Sequence, residues 1–428
     1  MAAKNRAVFV SQRFPPDKGG NAARIHDVTT HLDDGWDVTV LAPPPSYPPG
    51  EFDRSWQRKQ TDSVDGVTTH RLWTWQPMTE NPGMLRRLPY YLLFSIHAMF
   101  WLVWNVRRYD AVVTTTPPIS TGAAGLCASV LGKPWIVDVR DLWIDAAISL
   151  GYLDEGSFLE RASRRFQRLV LHTADGITVT TELLGEYIQE LYGESLAEKT
   201  LLISNGVDVD RFQPPASSVS GDGTAPTVPE DRQDAAATAG PKPDGGRSTI
   251  IYTGNLGSSQ ALGPCIRAMA HLEHDAAVLK LIGAGDMKSE LRQLRDDLGL
   301  ADRVEFHGLV PRAEVPALLA DATIGIAPLQ DSEEMAYAMP TKLYEYLASG
   351  LPTVVTGRGE IERFIDASGG GFHVENDPEQ IAAKFDELLA DEQLREQLGR
   401  DGRAYVEANC DRKAIANRLS KKLSELVE

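Results

Sequence analysis

Cysteine is scarce in this sequence, and its distribution argues against two kinds of covalently stabilised scaffold. Only three cysteines occur in 428 residues, and Cys127, Cys265 and Cys410 lie far apart. Because there is no CxxC pair and no Cys/His cluster, neither a disulfide framework nor a structural zinc site is expected. A reducing cytoplasm is the expected compartment. The polar N-terminus runs directly into a strand-like stretch at residues 7–10, so no signal peptide is expected.

Lysine is also sparse, and the charge balance is strongly acidic. The chain has 13 lysines against 30 arginines, and its 60 acidic residues outnumber 43 basic ones, for a net charge of −17. An acidic surface of this kind repels nucleic acid and anionic lipid, so no nucleic-acid partner is expected. Many acids with few lysines resemble the composition of proteins from organisms that keep molar salt in the cytoplasm.

Short β-branched runs alternate with longer helical patterns along both halves of the chain. Strands that alternate with helices form parallel sheets covered on both faces, so the sequence predicts an α/β protein. Its length exceeds one ordinary core and predicts two domains. The predicted strands are residues 7–10, 37–41, 68–72, 111–115, 135–137 and 176–179 in the first half, and 249–252, 277–282, 303–306, 324–327 and 353–355 in the second.

Two further segments stand apart from this alternation. The stretch from Pro214 to Arg247 has almost no large apolar residue and predicts a disordered acidic insertion. The stretch from Leu88 to Val106 is apolar, with arginine pairs at both ends. We expect it to form a helix that packs on the sheet with one face free to dock on a membrane. A transmembrane helix and a wholly buried helix are the alternatives.

The first half offers two candidate binding sites at predicted strand ends. Gly19 and Gly20 directly precede a helix, where backbone N–H groups and the helix dipole can meet an anion; the alternative is a glycine-rich turn with no ligand. Asp138, Arg140 and Asp141 follow a buried strand, and two carboxylates beside an arginine can hold sugar hydroxyls and a phosphate. A structural ion pair at the strand end explains that second group equally well.

The second half offers three small-residue loops and one more specific motif. The loops, which together suggest a crevice for a diphosphate and a base, contain Asn255, then Gly283 and Gly285, then Leu309. The motif opens with Pro340-Thr341-Lys342 and reaches Glu345 one turn later. Pro340 suits a first helical turn, Thr341 offers free N–H groups, and Lys342 adds positive charge for phosphate. Glu345 is placed to accept hydrogen bonds from ribose hydroxyls.

These motifs, in this order, resemble those of the retaining GT-B glycosyltransferases of family 4, in the subgroup that builds surface polysaccharides and lipid-linked glycans. The resemblance rests on the stretches 19–20, 203–208, 254–256, 281–285 and 342–350. It implies two Rossmann-like parallel-sheet domains facing across a cleft, with the nucleotide-sugar donor in the C-terminal domain and the acceptor against the N-terminal one. The implied parts are an acceptor-side domain at 1–205, a connection at 206–248, a donor domain at 249–400, and a C-terminal helix at 401–428 that packs back on the first domain.

The resemblance also assigns roles. Glu345 matches the ribose-binding glutamate of the family, and we expect Lys342, Arg140 and Asp141 to act in catalysis. Donor contacts are expected from Gly19, Gly20, Asn255, Gly283, Gly285, Leu309, Thr341, Lys342 and Glu345. The expected activity is hexosyl transfer to a lipid-linked or glycan acceptor, without metal or other cofactor, at the cytoplasmic face of a membrane.

Three positions depart from the family pattern. A glutamate that contacts the donor sugar is replaced by Tyr337, and the Arg and Lys of the diphosphate clamp fall at the neutral Asn255 and Gln260. Two alternatives therefore accompany the transferase interpretation: a nucleotide-sugar epimerase, and a non-catalytic subunit that binds a nucleotide sugar.

Overall fold

The computed structural model describes residues 4–47, 51–76, 84–149, 151–214 and 247–428. Within them the chain forms two compact units, each built on its own sheet. Unit 1 comprises Met1–Asp208, Ala336–Thr341 and Asn409–Glu428, and unit 2 comprises Val209–Met335 and Lys342–Ala408. Residues 215–246 of the predicted acidic insertion lie outside the described residues.

Unit 1 is centred on an eight-stranded sheet. Its strands are β1 (Asn5–Val10), β2 (Trp36–Ala42), β3 (Lys59–Val64), β4 (Val67–Leu72), β5 (Ala111–Thr115), β6 (Trp135–Val139), β7 (Gly176–Val179) and β8 (Thr200–Leu202). They lie in the order β3-β4-β2-β1-β5-β6-β7-β8, and every neighbouring pair is parallel except β3 with β4. The order reverses between β1 and β5, and open α/β sheets bind ligands beyond the carboxyl ends of strands at such a reversal.

Six helices of unit 1 cover the two faces of this sheet: α1 (Gly20–His31), α2 (Met84–Asn105), α3 (Gly122–Val130), α4 (Trp143–Ser149), α5 (Phe158–Thr173) and α6 (Glu182–Tyr192). Because side chains alternate along a strand, Val8 and Val10 of β1 pack beneath α2, α3, α5 and α6, whereas Ala7 and Phe9 face α1. Among the described helices, none has both the length and the apolar character needed to cross a membrane.

Unit 2 repeats the pattern with a six-stranded, all-parallel sheet. Its strands are β9 (Thr249–Thr253), β10 (Val278–Ile282), β11 (Val304–His307), β12 (Ile324–Pro328), β13 (Thr353–Thr356) and β14 (Gly371–Val374), in the order β11-β10-β9-β12-β13-β14. Its helices are α7 (Leu262–His271), α8 (Lys288–Asp297), α9 (Val315–Ala320), α10 (Thr341–Ala348), α11 (Glu360–Ser368), α12 (Pro378–Ala390) and α13 (Glu392–Asn409). The strand order reverses between β9 and β12.

The last helix, α14 (Arg412–Val427), belongs to the first sheet. Ile415, Leu419 and Leu423 are buried in the same core as Phe9 and Ile25. Asp411 caps the helix by accepting a hydrogen bond from the Ala414 amide at 3.1 Å. Helix α14 therefore covers part of the same face of the first sheet as α1.

The prediction of two parallel-sheet α/β domains is confirmed, but three strands were missed and one was predicted too short. β3, β8 and β14 were not predicted, and β3 adds an antiparallel edge to the first sheet. The sequence of β3, KQTDSV, is polar because the strand is largely exposed, so it carries no buried period-2 pattern. β6 runs two residues further than predicted, to Val139, which places Asp138 inside the strand.

Candidate functional site

The glycine-rich turn after β1 is held in a defined conformation. Gly19 has a φ of 117°, which favours glycine, and α1 begins at the next residue. The Asp17 carboxylate accepts hydrogen bonds from the Ser46 and Tyr47 amides, both at 2.7 Å, and so ties the turn to the loop after β2. No side chain caps the first turn of α1, so its amides are open to an anion.

Asp138 is a structural ion-pair residue. Its carboxylate accepts hydrogen bonds from Arg24 of α1 at 2.7 Å, from Arg140 at 3.1 Å and from the Thr178 hydroxyl at 2.7 Å. Burial alone would raise the pKa of Asp138, but the two guanidiniums and the hydroxyl hold it well below its usual value. Asp138 is therefore ionised and fully engaged, and for this residue the ion-pair interpretation is correct.

Arg140 and Asp141 lie just beyond the end of β6. One Arg140 amino group donates to the Asn21 carbonyl at 3.2 Å, which brings this arginine beside the glycine-rich turn. Among the described residues, Nη2 of Arg140 and Oδ1 of Asp141 are buried without a hydrogen-bond partner. Burial raises the pKa of Asp141 to about 6, although the Arg140 guanidinium opposes the shift. A buried donor and a buried acceptor thus stand unsatisfied at the edge where ligands bind.

The loops after β9 and β10 fit together through their glycines. A Cβ on Gly283 would lie 1.8 Å from the Gly254 carbonyl oxygen, and one on Gly285 would lie 2.3 Å from that of Leu256. Hydrogen bonds from the Gly254 amide to Ile282 and from the Leu256 amide to Ala284, both 2.9 Å, join the loops. Gly283 and Gly285 are therefore required for the close packing of this loop against the loop that contains Asn255.

Lys342 reaches from the first turn of α10 to the carboxyl end of β9. Its ammonium group donates to Gln260 Oε1 at 2.7 Å and to the Tyr252 hydroxyl at 3.1 Å, and it lies 4.4 Å from the centre of the Tyr252 ring. Burial lowers the pKa of Lys342 to about 7, against the attraction of Glu345. Because the hydrogen-bond partners of Lys342 named here are neutral, its positive charge is available to bind an anion.

The other residues predicted to bind the donor lie at the start of α10, which is Thr341 of unit 1, and in α10 and the loops of unit 2. Thr341 is exposed at the start of the helix, and Leu309 is 79% exposed after β11. The Glu345 carboxylate accepts a hydrogen bond from Arg312 at 3.3 Å. Asn255 is exposed, and its carbonyl accepts a hydrogen bond from the Tyr252 hydroxyl at 2.5 Å. These contacts leave the predicted roles in donor binding as predictions.

Tyr337, which stands where the family has its donor-sugar glutamate, packs within unit 1. Its hydroxyl accepts a hydrogen bond from the Leu142 amide at 3.3 Å, and its carbonyl accepts one from the Thr181 hydroxyl at 2.9 Å. Its ring meets that of Tyr187 edge-on at 6.2 Å. Tyr337 therefore has a packing role within unit 1.

Sequence reasoning missed three charged residues at these strand ends. Arg24 lies 114 residues from Asp138, and nothing in α1 marks it as a partner. Arg312 pairs with Glu345 from a loop. Lys288 reaches the carbonyls of Gly283 at 3.4 Å and His307 at 3.3 Å. Only the position of Lys288 soon after a glycine loop, at the start of a helix, could have marked it.

Comparisons with known proteins agree with this architecture. Residues 19–206 match the glycosyl transferase 4-like domain, and residues 236–405 match the domain described as glycosyl transferases group 1. The chain is similar to a colanic acid biosynthesis glycosyl transferase named WcaI, from Escherichia coli (strain K12). The two are 25% identical over 336 residues, 77% of each chain.

Two solved structures share the fold. Sucrose-phosphate synthase from Thermosynechococcus elongatus superposes with a TM-score of 0.70 at 17% identity and covers 99% of both chains. Anabaena Alr3699/HepE, solved in complex with UDP-glucose, superposes with a TM-score of 0.67 at 16% identity, covering 98% of this chain and 99% of the other.

The fold is that of the GT-B glycosyltransferases. The two matched domains, a 4-like domain followed by a group 1 domain, identify the chain as a glycosyltransferase. The predicted resemblance to GT-B glycosyltransferases with a family 4-like domain is confirmed, whereas retention and the surface-polysaccharide subgroup stay predictions.

Proposed function

We propose that the chain transfers a hexose-type sugar, with retention, from a nucleoside diphosphate sugar to a lipid-linked or glycan acceptor in cell-surface or glycoprotein glycan assembly. Two similarities support the proposal: WcaI is named for colanic acid biosynthesis, and HepE was solved with UDP-glucose. In this scheme unit 2 binds the donor and unit 1 binds the acceptor. The site of action is the cytoplasmic face of a membrane, contacted through the segment from Leu88 to Val106.

The observation that carries the proposal is the placement of Lys342. The lysine lies against Gln260, where the family pattern expects a lysine of the diphosphate clamp. Lys342 thus supplies the cation from α10 that the neutral residue at 260 does not. The chemical task is to stabilise the diphosphate as the glycosidic C–O bond breaks, and one preorganised donor typically contributes about 3–4 kcal/mol. With Lys342 and the amides of the first turn of α10 as the positive groups, we propose that no metal is required.

Glu345 and Asp141 complete the scheme. The Glu345 carboxylate, held by Arg312, accepts the ribose hydroxyls, and Thr341 offers its amide to the phosphate. In unit 1, Asp141 and Arg140 contribute a buried acceptor and a buried donor for acceptor hydroxyls. Gly19 and Gly20 supply amides at the start of α1.

The test is turnover of Lys342→Ala with the donor that the protein binds. A panel of nucleotide sugars is first screened for thermal stabilisation, since ligands that bind only the folded state raise its melting temperature. Lys342→Ala should then lower turnover at least tenfold. Lys384→Ala is the matched control, because that lysine pairs with Glu387 and lies over the Phe372 ring, and neither residue belongs to the proposed site. Wild-type turnover in Lys342→Ala would remove the lysine from the scheme.

The pH dependence offers a second measurement on the same residue. Because the pKa of Lys342 lies near 7, its charged fraction falls as the pH rises through neutrality. A bound diphosphate favours the ammonium, so donor binding should take up a proton and weaken as the pH increases above 7. Lys342→Arg should flatten this profile, because arginine stays charged.

One observation favours a second candidate, a non-catalytic subunit that binds a nucleotide sugar. Tyr337 packs within unit 1 in place of the family's donor-sugar glutamate. Tight nucleotide binding without transfer to any acceptor would support this alternative.

A further inference from the structure

Unit 1 contains an apolar groove between α2 and α5 that no part of the transfer scheme uses. Its volume is about 470 Å³, within the range of ligand sites. We call it the α2–α5 groove. Its walls include Tyr91, Leu92 and Met99 from α2, Trp143 from α4, and Leu159 and Phe166 from α5. The Ser95 hydroxyl in the wall lies 2.9 Å from both the Tyr91 carbonyl oxygen and the Ser120 hydroxyl, so its hydrogen-bonding capacity is largely used within the protein.

The groove opens beside a band of exposed apolar side chains on α2. Leu92, Ile96, Phe100 and Trp104 follow one another at intervals of four residues and share one helix face, and Trp104 is 75% exposed. Ile96 lines both the α2–α5 groove and a second hollow of about 590 Å³, which is bordered by Trp56, Trp73 and Trp104. An apolar surface of this extent, rimmed by tryptophans, is typical of contact with a membrane interface.

The charge of α2 and its flanking residues is opposite to that of the whole chain. Residues 84–108 contain four arginines and no acidic residue, although the net charge of the protein is −17. Arg107 and Arg108 are exposed where α2 ends, and Arg161 and Arg165 are exposed on α5. The net charge, from which repulsion of anionic lipid is expected, therefore does not describe the local charge of this helix. The complementary surface is an apolar layer with negative headgroups.

We propose that the α2 face docks on an anionic phospholipid bilayer and that the α2–α5 groove receives one hydrocarbon chain of a lipid from that bilayer. The groove supplies an apolar wall on each side of the hydrocarbon chain, and the exposed arginines contact the lipid headgroups. The proposal extends the membrane contact in the proposed function to a defined lipid site. It does not depend on the identity of donor or acceptor.

The first experiment measures co-sedimentation of the full chain with vesicles. We expect at least tenfold stronger binding to phosphatidylglycerol vesicles than to phosphatidylcholine vesicles, falling as salt is added. Leu92→Glu combined with Phe100→Glu should lower binding at least tenfold. Leu191→Glu is the matched control and should stay within twofold, because Leu191 is 39% exposed on α6 and lines neither hollow. Equal binding of both vesicle types, or none, would overturn the docking.

The second experiment separates the groove from the exposed face. Dodecyl phosphate, used below its micelle concentration, should raise the melting temperature, and inorganic phosphate should not. Affinity for alkyl phosphates should rise about fourfold for each added methylene until the groove is filled. Ala162→Trp fills the groove while it keeps the surface apolar. It should abolish the dodecyl phosphate effect but retain most vesicle binding.

Each outcome decides a separate point. Undiminished dodecyl phosphate binding by Ala162→Trp would overturn the groove as the chain site. If Ala162→Trp has a lower melting temperature than wild type, Ser163→Leu, which narrows the same groove, is used in its place. If the protein binds nucleotide sugars but no lipid, only the lipid-binding proposal is contradicted. If it binds lipid but no nucleotide sugar, the proposed function is contradicted instead.

Discussion

Asp141 is a carboxyl group whose ionisation is disfavoured by its surroundings. Burial raises its pKa to about 6, and within the described residues its Oδ1 atom has no donor. In the unfolded chain the pKa returns to its ordinary value near 3.8. Between these two values the folded protein binds more protons, so the contribution of Asp141 to stability falls as the pH rises from about 4 to 6.

Asp141→Asn should therefore stabilise the protein at neutral pH. The gain should approach about 1–3 kcal/mol at pH 7.5 and vanish below about pH 3, where the aspartate is protonated in both states. Urea unfolding at the two pH values measures it, with the exposed Asp154→Asn as control. The same variant should lose transfer activity, if the unsatisfied carboxylate serves an acceptor. A loss of stability at pH 7.5 would show that the carboxylate is already paired.

The single residues also show how far sequence patterns reach. Gly283 and Gly285 were predicted from their place at a strand end, and the structure adds the reason, which is the close approach of the neighbouring loop backbone. Lys342 was predicted as a cation, but its partners Tyr252 and Gln260 lie more than 80 residues away and could not be read from local sequence. The type of a residue and its position at a strand end can be read from local sequence, whereas its hydrogen-bond partners depend on the fold.

At the scale of elements, a buried charge network joins α1 to β6. Arg24 bonds Asp138 and also donates to the Ser204 carbonyl at 3.0 Å and to the Asn205 side chain at 3.3 Å. The network therefore fixes α1, the end of β6 and the segment after β8 in one arrangement. Removing one member leaves the others buried without full compensation.

Arg24→Met should lower the free energy of unfolding by about 3–5 kcal/mol, because Asp138 loses its shortest ionic partner inside the core. Chemical denaturation measures the change. Arg6→Met is the comparison, since Arg6 and Asp37 form an exposed pair at 4.0 Å that should contribute less than about 1 kcal/mol. Similar effects in both variants would show that Arg140 and Thr178 alone hold Asp138.

Among the elements themselves, buried strands were easier to predict than exposed ones. β5 and β7 match their predicted bounds because continuous β-branched runs mark a strand covered on both faces. β3 was missed because its side chains are mostly polar and exposed, and its pairing with β4 is the only feature that defines it. Edge strands of this kind depend on tertiary pairing more than on composition.

At the scale of the whole molecule, the first sheet depends on the end of the chain. Ile415, Leu419 and Leu423 of α14 are at most 3% exposed and close the core that contains β1 and α1. Burial of each side chain contributes about 1.5–3 kcal/mol. Their sum is comparable to the net stability of a typical domain.

Truncation after Asn409 should therefore unfold unit 1, and Leu423→Ala should cost about 2–5 kcal/mol. Hydrogen exchange of the β1 and β5 amides, followed by mass spectrometry, reports on unit 1 directly. Lys421→Ala, an exposed change on the same helix, should leave exchange unaltered. Protected β1 amides in the truncated chain would contradict this dependence.

The division of unit 1 among three stretches of chain has a practical consequence for engineering. A chimera made by one crossover between relatives would separate the final helix from the sheet it completes, and would import a foreign partner for Phe9 and Ile25. In the proposed scheme, where unit 2 binds the donor, donor preference would be exchanged more safely by transplanting 209–335 and 342–408 together while keeping the native hexapeptide between them. Recombination at four junctions, rather than one, is what this architecture permits.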